Sequence, residues 1–125
     1  MIPEIKRILY TTDLSPNSAY ALRYAINSAN KHDAGIIILH VVEEMAPFFD
    51  EERLKVISET KIAEAMDRIR KRLKIFCDRE LKDDPESTDR VVSIEVCQGY
   101  PPEEILRKAD ELNCDVIVMG THGKG

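Results

Sequence analysis

Three glycines crowd the end of the sequence, Gly120, Gly123 and Gly125, directly after the apolar run 116–119 (VIVM). Glycine lets a backbone turn tightly and approach a ligand closely. Successive N–H groups freed of side chains form a concave nest for anions, and a helix starting beyond them would add its positive end. The chemistry such a loop could do is to cradle phosphate; its plain alternative is a glycine turn after a strand. Neither common phosphate fingerprint is present, since the chain has no G-x-x-x-x-G-K-[ST] and no G-x-G-x-x-G. His122, inside the loop, could face a phosphate or solvent.

A second candidate lies far away in sequence. Asp13 follows the first apolar stretch, in "TTDLS". A carboxylate at a strand end can accept hydrogen bonds from ribose hydroxyls or an exocyclic amine. It can equally help cap the helix that follows, and the sequence leaves both roles open. Other polar residues carry less. His40 sits among apolar neighbours and reads as a hydrogen-bonded core histidine. His32 falls near a helix end, where a cation is favourable. Glu103 and Glu104 fall in a first helical turn, where acids oppose the positive end, and read as helix-start residues. No H-x-x-x-H or H-E-x-x-H metal spacing and no G-x-S-x-G nucleophile motif occurs. Cys77, Cys97 and Cys114 are an odd count without C-x-x-C spacing, which argues for reduced, mostly buried thiols.

The elements that must position these groups alternate. Residues 5–12 read as a buried strand. Ser15 is a natural N-cap and Pro16 suits the first helical position; Ala19, Leu22, Ala25, Ile26 and Ala29 then keep a helical period. Gly35 marks the end of the following turn. Residues 36–42 (IIILHVV) are apolar almost throughout, as in a strand buried on both faces. From about 50 to 82 there is neither Gly nor Pro, and Leu54, Ile57, Ile62, Met66, Ile69, Leu73 and Phe76 trace one helical stripe. Glu51–Lys55, Glu64–Arg68 and Asp67–Lys71 set acid four residues before base on the solvated face. The stripe does not hold a strict heptad, so a coiled coil is not expected. "KDDPESTD" reads as a polar turn, residues 90–99 as a third strand, 101–113 as a third helix opened by two prolines, and 114–120 as a fourth strand.

Strands joined by helices must run parallel, and right-handed crossovers place helices on both faces. The expected fold is therefore a doubly wound, three-layer α/β/α domain with an open parallel sheet. Ligands in such sheets bind beyond the carboxyl ends of the strands, where strand order reverses. That directs attention to residues 11–14, 40–42 and 120–125.

Composition bounds the partners. The chain has 125 residues, the size of one domain. Lys and Arg number 18 and Asp and Glu 23, a net charge of −5, so no basic surface for nucleic acid is indicated. The longest strictly apolar run, residues 36–39, is far short of the roughly 20 a membrane helix needs, and the first residues show no secretory h-region. A cytoplasmic protein with no membrane partner is expected.

The chain resembles the universal stress protein family over all 125 positions. "ILYTTDLSPNSAYALRYA" is similar to the family's opening strand, Asp loop and first helix, and "IIILHVVE" to its second strand. "QGYPPEEILRKADELNCDVIVMGTHGKG" is similar to its third helix, fourth strand and glycine loop, the most specific part. The resemblance implies one universal stress protein domain over residues 1–125, with a Rossmann-like, adenine nucleotide alpha hydrolase-like fold. It implies a stress-response regulator that binds ATP or AMP, with magnesium on the phosphates, and that forms a homodimer with protein partners still unknown. No robust catalysis is typical of the family, and a weak ATPase is the most an enzyme reading would allow; no catalytic residue is assigned. Gly120 and Gly123 match the first two glycines of the family's G-x2-G-x9-G-[ST] loop. By position, the loop 120–125, with Gly120, Thr121, His122, Gly123, Lys124 and Gly125, would take the phosphates, Lys124 adding positive charge. Thr11 and Asp13 would take the ribose and adenine side, and Val41 would meet adenine through main-chain groups. The family's later Gly-Ser, fifth strand and fourth helix would fall beyond residue 125. The expectation is thus a truncated chain with an exposed fourth strand and a weakened triphosphate site. The alternative is a dimeric interaction module of the same family that binds no nucleotide.

Overall fold

A computed structural model of the chain describes residues 4–15, 18–43 and 51–120, with side chains from residue 59 onward in the last span. Eight elements follow one another: β1 (Arg7–Thr12), α1 (Ser18–His32), β2 (Gly35–Glu43), α2 (Glu51–Glu80), α3 (Pro85–Thr88), β3 (Val91–Gly99), α4 (Pro101–Glu111) and β4 (Val116–Gly120). The four strands form one parallel sheet in the order β3-β2-β1-β4. The chain steps outward from β1 through β2 to β3, then returns to the far side of β1 as β4. Strand order therefore reverses between β2 and β4, across the end of β1.

Alternation along the strands builds the two interfaces. Ile8 and Tyr10 of β1 and Ile36 and Ile38 of β2 face α1 and α2, where they meet Leu22, Ala25, Ile26, Ala29, Leu73 and Cys77. Leu9, Ile37, Leu39 and Val41 face the other way, onto Ile105, Ala109 and Leu112 of α4 and its end. This is why 36–39 reads as unbroken apolar sequence: its side chains are buried on both sheet faces, between 0% and 3% exposed. Each such side chain, fully buried, contributes about 1.5–3 kcal/mol.

Helix α2 runs as the stripe requires, with Leu73 buried and Met66, Ile69 and Phe76 packed partly against the core. Of the acid–base spacings on its outer side, Asp67–Lys71 closes at 3.0 Å. Glu64–Arg68 forms no ion pair among the described residues, and the side chains of Glu51 and Lys55 lie outside them. Among the described residues no helix is long and apolar enough to cross a membrane.

Several local expectations are corrected. The polar segment around residue 85 is a short helix, α3, rather than a plain turn. Asp84 caps it by accepting from the Ser87 N–H at 3.3 Å, and Pro85 opens it. Gly35 follows the turn after α1, as expected. The stop is Asp33, at φ 54°, which lets the Ala34 N–H reach back to the Ala29 carbonyl at 2.9 Å. Asn113, also at φ 54°, ends α4 in the same way, with Cys114 N–H on the Ala109 carbonyl at 2.8 Å. Gly35 belongs to β2, and a Cβ there would lie 2.7 Å from a Val92 methyl. Val92 is the extra residue of a bulge where the β2–β3 register shifts between Ile36 and Ile37. Finally, the Ser15 hydroxyl caps nothing: its oxygen is buried and makes no hydrogen bond.

Candidate nucleotide site at the strand ends

The carboxyl ends of β1, β2 and β4 are tied together by backbone and side-chain bonds. Asp13 N–H donates to the Gly120 carbonyl at 3.1 Å, extending the β1–β4 pairing by one step past Thr12 and Gly120. His40, near the end of β2, sets its Nδ1 2.7 Å from the Thr12 carbonyl oxygen. A carbonyl can only accept, so Nδ1 carries the proton and the other ring nitrogen, Nε2, is left for other partners. On the loop itself, Leu14 N–H donates to Thr12 Oγ1 at 3.0 Å and Ser15 N–H to Asp13 Oδ1 at 2.9 Å. Thr12 Oγ1 donates to Ser18 Oγ at 2.6 Å. Leu14 takes φ 66°, a left-handed turn unusual for a leucine.

These ties frame a crevice of about 330 Å3, at the small end of the range for small-molecule sites. Thr11, Asp13, Val41 and Gly120, four of the residues singled out in the sequence, all line it. Thr121, His122, Gly123, Lys124 and Gly125 lie outside the described residues. Asp13 takes the local role left open above, one oxygen holding the turn before α1, and the residue also lines the crevice.

Sequence reasoning missed part of the lining. His40 satisfies its core hydrogen bond and also borders the crevice, as do Glu43 and, from α4 and β4, Ile105 and Met119. Ile105 and a Met119 that is 56% exposed give the crevice an apolar side. Asp13 and Glu43 are the acidic residues among its described lining. No spacing signal joins residues this far apart; only the sheet order does. Gly120 is packed so closely that a Cβ would sit 3.2 Å from the Thr11 carbonyl oxygen and 3.3 Å from both Ala21 and Tyr10. A bare backbone at this point is thus required by packing, whatever the loop beyond it does.

The cysteines stand aside. All three are free; Cys77 is buried, while Cys97 and Cys114 are only half-buried. Burial pushes the Cys77 thiol up to about 11 and raises the other two, so none is poised as a thiolate. Among the described residues no group of three His, Cys, Asp or Glu could hold a metal ion.

Known proteins share this arrangement. Universal stress protein MJ0531 of Methanocaldococcus jannaschii is 32% identical over 122 residues, covering 95% of this chain and 66% of its own, so the chain spans just under two thirds of that relative. The solved structure of UspA from Lactobacillus plantarum superposes with a TM-score of 0.67 at 25% identity, over 98% of this chain and 83% of that one. The structure of M. jannaschii MJ0577 gives 0.63 at 27% identity, over 98% and 78%. A model of the universal stress protein family matches residues 4–125, and the chain belongs to that family.

Proposed function

We propose that this protein is a nucleotide-binding regulator that holds ATP or AMP in the crevice at the ends of β1, β2 and β4. The observation that carries the reading is the Asp13 N–H bond to the Gly120 carbonyl at 3.1 Å. It joins a carboxylate suited to ribose or an amine to the first residue of a glycine-rich loop, on the lip of one crevice. The polarity of the lining supports an orientation. Asp13 and Glu43 would repel phosphates and so favour the nucleoside end, with the base against Ile105 and Met119. The phosphates would then lie toward residues 120–125, where Lys124 adds positive charge. Thr11 and the main chain of Val41 would complete the nucleoside side. Magnesium would be held by the phosphates themselves, as the described residues offer no metal cluster of their own. Nucleotide-dependent self-association into a homodimer belongs to the same proposal.

The test is direct. Purified protein is denatured, and the supernatant is run on an anion-exchange column beside ATP and AMP standards. Released nucleotide, or calorimetric heat on adding ATP with magnesium that disappears in D13A, supports the proposal. A clean supernatant together with no heat overturns it. Sedimentation with and without ATP reads the self-association.

A further inference from the structure

The loop after β1 has a second crevice on its other side. It holds about 290 Å3 and lies between that loop, the start of α1 and one face of α2. From α2 it receives Arg72, Ile75, Phe76 and Arg79, which share a face at helical spacing. From the loop it receives Leu14 and Ser15.

Three features of this lining are unusual together. First, its charge is of one sign. In a chain of net charge −5, the described residues that line the crevice include two arginines and no acidic residue. Second, those guanidiniums are uncommitted. Some cations around it are paired, Lys71 with Asp67 at 3.0 Å and Arg23 with Glu80 at 3.2 Å, while Arg68 and Arg70 have no ion pair among the described residues. Arg72 and Arg79 have neither ion pair nor hydrogen bond among the described residues. Third, the Ser15 oxygen is buried without a hydrogen bond. An unsatisfied buried hydroxyl costs about 1–3 kcal/mol, a cost relieved when the loop opens enough for a ligand oxygen to reach it. The positive end of α1 faces the same space, and the helix has no acidic residue in its first turn. Between the two arginines lies apolar surface, with Ile75 57% exposed and Phe76 beside it.

We propose that this second crevice binds a phosphate monoester with an apolar body. Arg72 and Arg79 would grip the phosphate in the planar, two-pronged manner that guanidinium allows. Ser15 would contribute its hydroxyl, and the body would lie along Ile75, Phe76 and Leu14. The site is separate from the nucleotide crevice and does not depend on that reading. Thr12 borders both.

The experiment uses phenyl phosphate as probe, followed by amide chemical shifts of the 125-residue chain. Saturable shifts at residues 12–15 and 72–79, with inorganic phosphate binding more weakly, are expected. R72Q/R79Q should weaken phenyl phosphate by at least about tenfold, and R72K/R79K by less, since charge remains while the fork is lost. Both arginines are exposed, so an unchanged melting temperature checks that these variants fold. R72Q/R79Q should leave any ATP binding intact, so loss of this site is distinguishable from loss of the other. No saturable binding, shifts confined to residues 11, 13, 40–43 and 120, or full affinity in R72Q/R79Q would overturn the proposal.

Discussion

His40 Nδ1 lies 2.7 Å from the Thr12 carbonyl oxygen, a bond from a β2 side chain to the last residue of β1. It closes the ends of two adjacent strands where the backbone ladder stops. Thr12 itself is 6% exposed, so its carbonyl has little access to water. Replacing His40 with Phe keeps the ring but removes the donor, and should cost about 1–3 kcal/mol in urea unfolding. Asparagine places an amide nitrogen near the position of Nδ1, so H40N should recover part of the loss. Equal stability of the Phe and Asn variants would mean that the bond contributes nothing.

Tyr10 is wholly buried and its hydroxyl donates to the Ser18 carbonyl at 2.7 Å. Y10F should therefore cost about 1–2 kcal/mol at neutral pH. Burial also pushes the phenol up to about 12, with hydrogen bonds to Thr12 and Ser18 opposing the shift. The sign is that of an acid ionising more readily when unfolded. Above about pH 10 the unfolded chain releases this proton while the folded one keeps it, so stability falls as pH rises toward 12. Cys77, pushed up to about 11, adds a similar loss beginning near pH 9. Unfolding curves between pH 8 and 11 should show a shallower decline in Y10F/C77V than in the parent.

Asp115 works at the opposite end of the pH scale. Its Oδ2 accepts from the Lys6 and Arg7 N–H groups at 2.8 and 3.1 Å, pinning the start of β4 to the start of β1. These backbone bonds hold its carboxyl below the usual range. A lowered folded value means stability that is complete above the unfolded value and lost as pH falls through the folded one. D115N should thus be less stable than the parent at pH 7, with the gap closing toward pH 2. A gap independent of pH would refute the charge-based account.

Gly120 touches backbone on one side and α1 on the other. G120A must push Thr11, Ala21 or Tyr10 aside by a few tenths of an ångström. G120V should cost about 1–3 kcal/mol by overpacking and displace the Asp13 amide that bonds to the Gly120 carbonyl. The measurement pairs a melting curve with the Asp13 amide shift. A wild-type-like spectrum for G120V would show that β4 yields freely.

What the sequence revealed follows from the range of each signal. The two-sided burial of β2 was plain in Ile36, Ile37, Ile38 and Leu39, because burial on both faces removes the polar half of the alternation. The stripe through Met66, Ile69 and Leu73 was legible because a long helix repeats its pattern many times. Helix α3 was not, since four residues cannot show a period. Its one local clue was Asp84 before Pro85, a cap followed by a helix-opening proline. Asp33 and Asn113 ended helices where glycine was the natural guess, because a short polar side chain also tolerates the left-handed turn. Reversing strand order pointed to residues 11–14, 40–42 and 120–125, the family resemblance singled out Thr11, Asp13 and Val41, and these three line one crevice with Gly120. Ile105 was missed because its arrival depends on how α4 lies over the sheet, and Met119 because the face it takes depends on the register of β4. The arginine-rimmed crevice was invisible for the same reason: Arg72 and Arg79 look like ordinary solvated positions until β1's following loop is placed beside them.

The central place of β1 has a kinetic consequence. With β2 it is one of the two strands that have a hydrogen-bonded neighbour on each side, and Ile8, Leu9 and Tyr10 are all fully buried. Its amides should be among the slowest to exchange with deuterium, opening only when the whole sheet does. Both crevices are anchored to its final residues. A compound that occupies either one would then be detected less as slower exchange at the rim than as a longer lifetime of the entire fold.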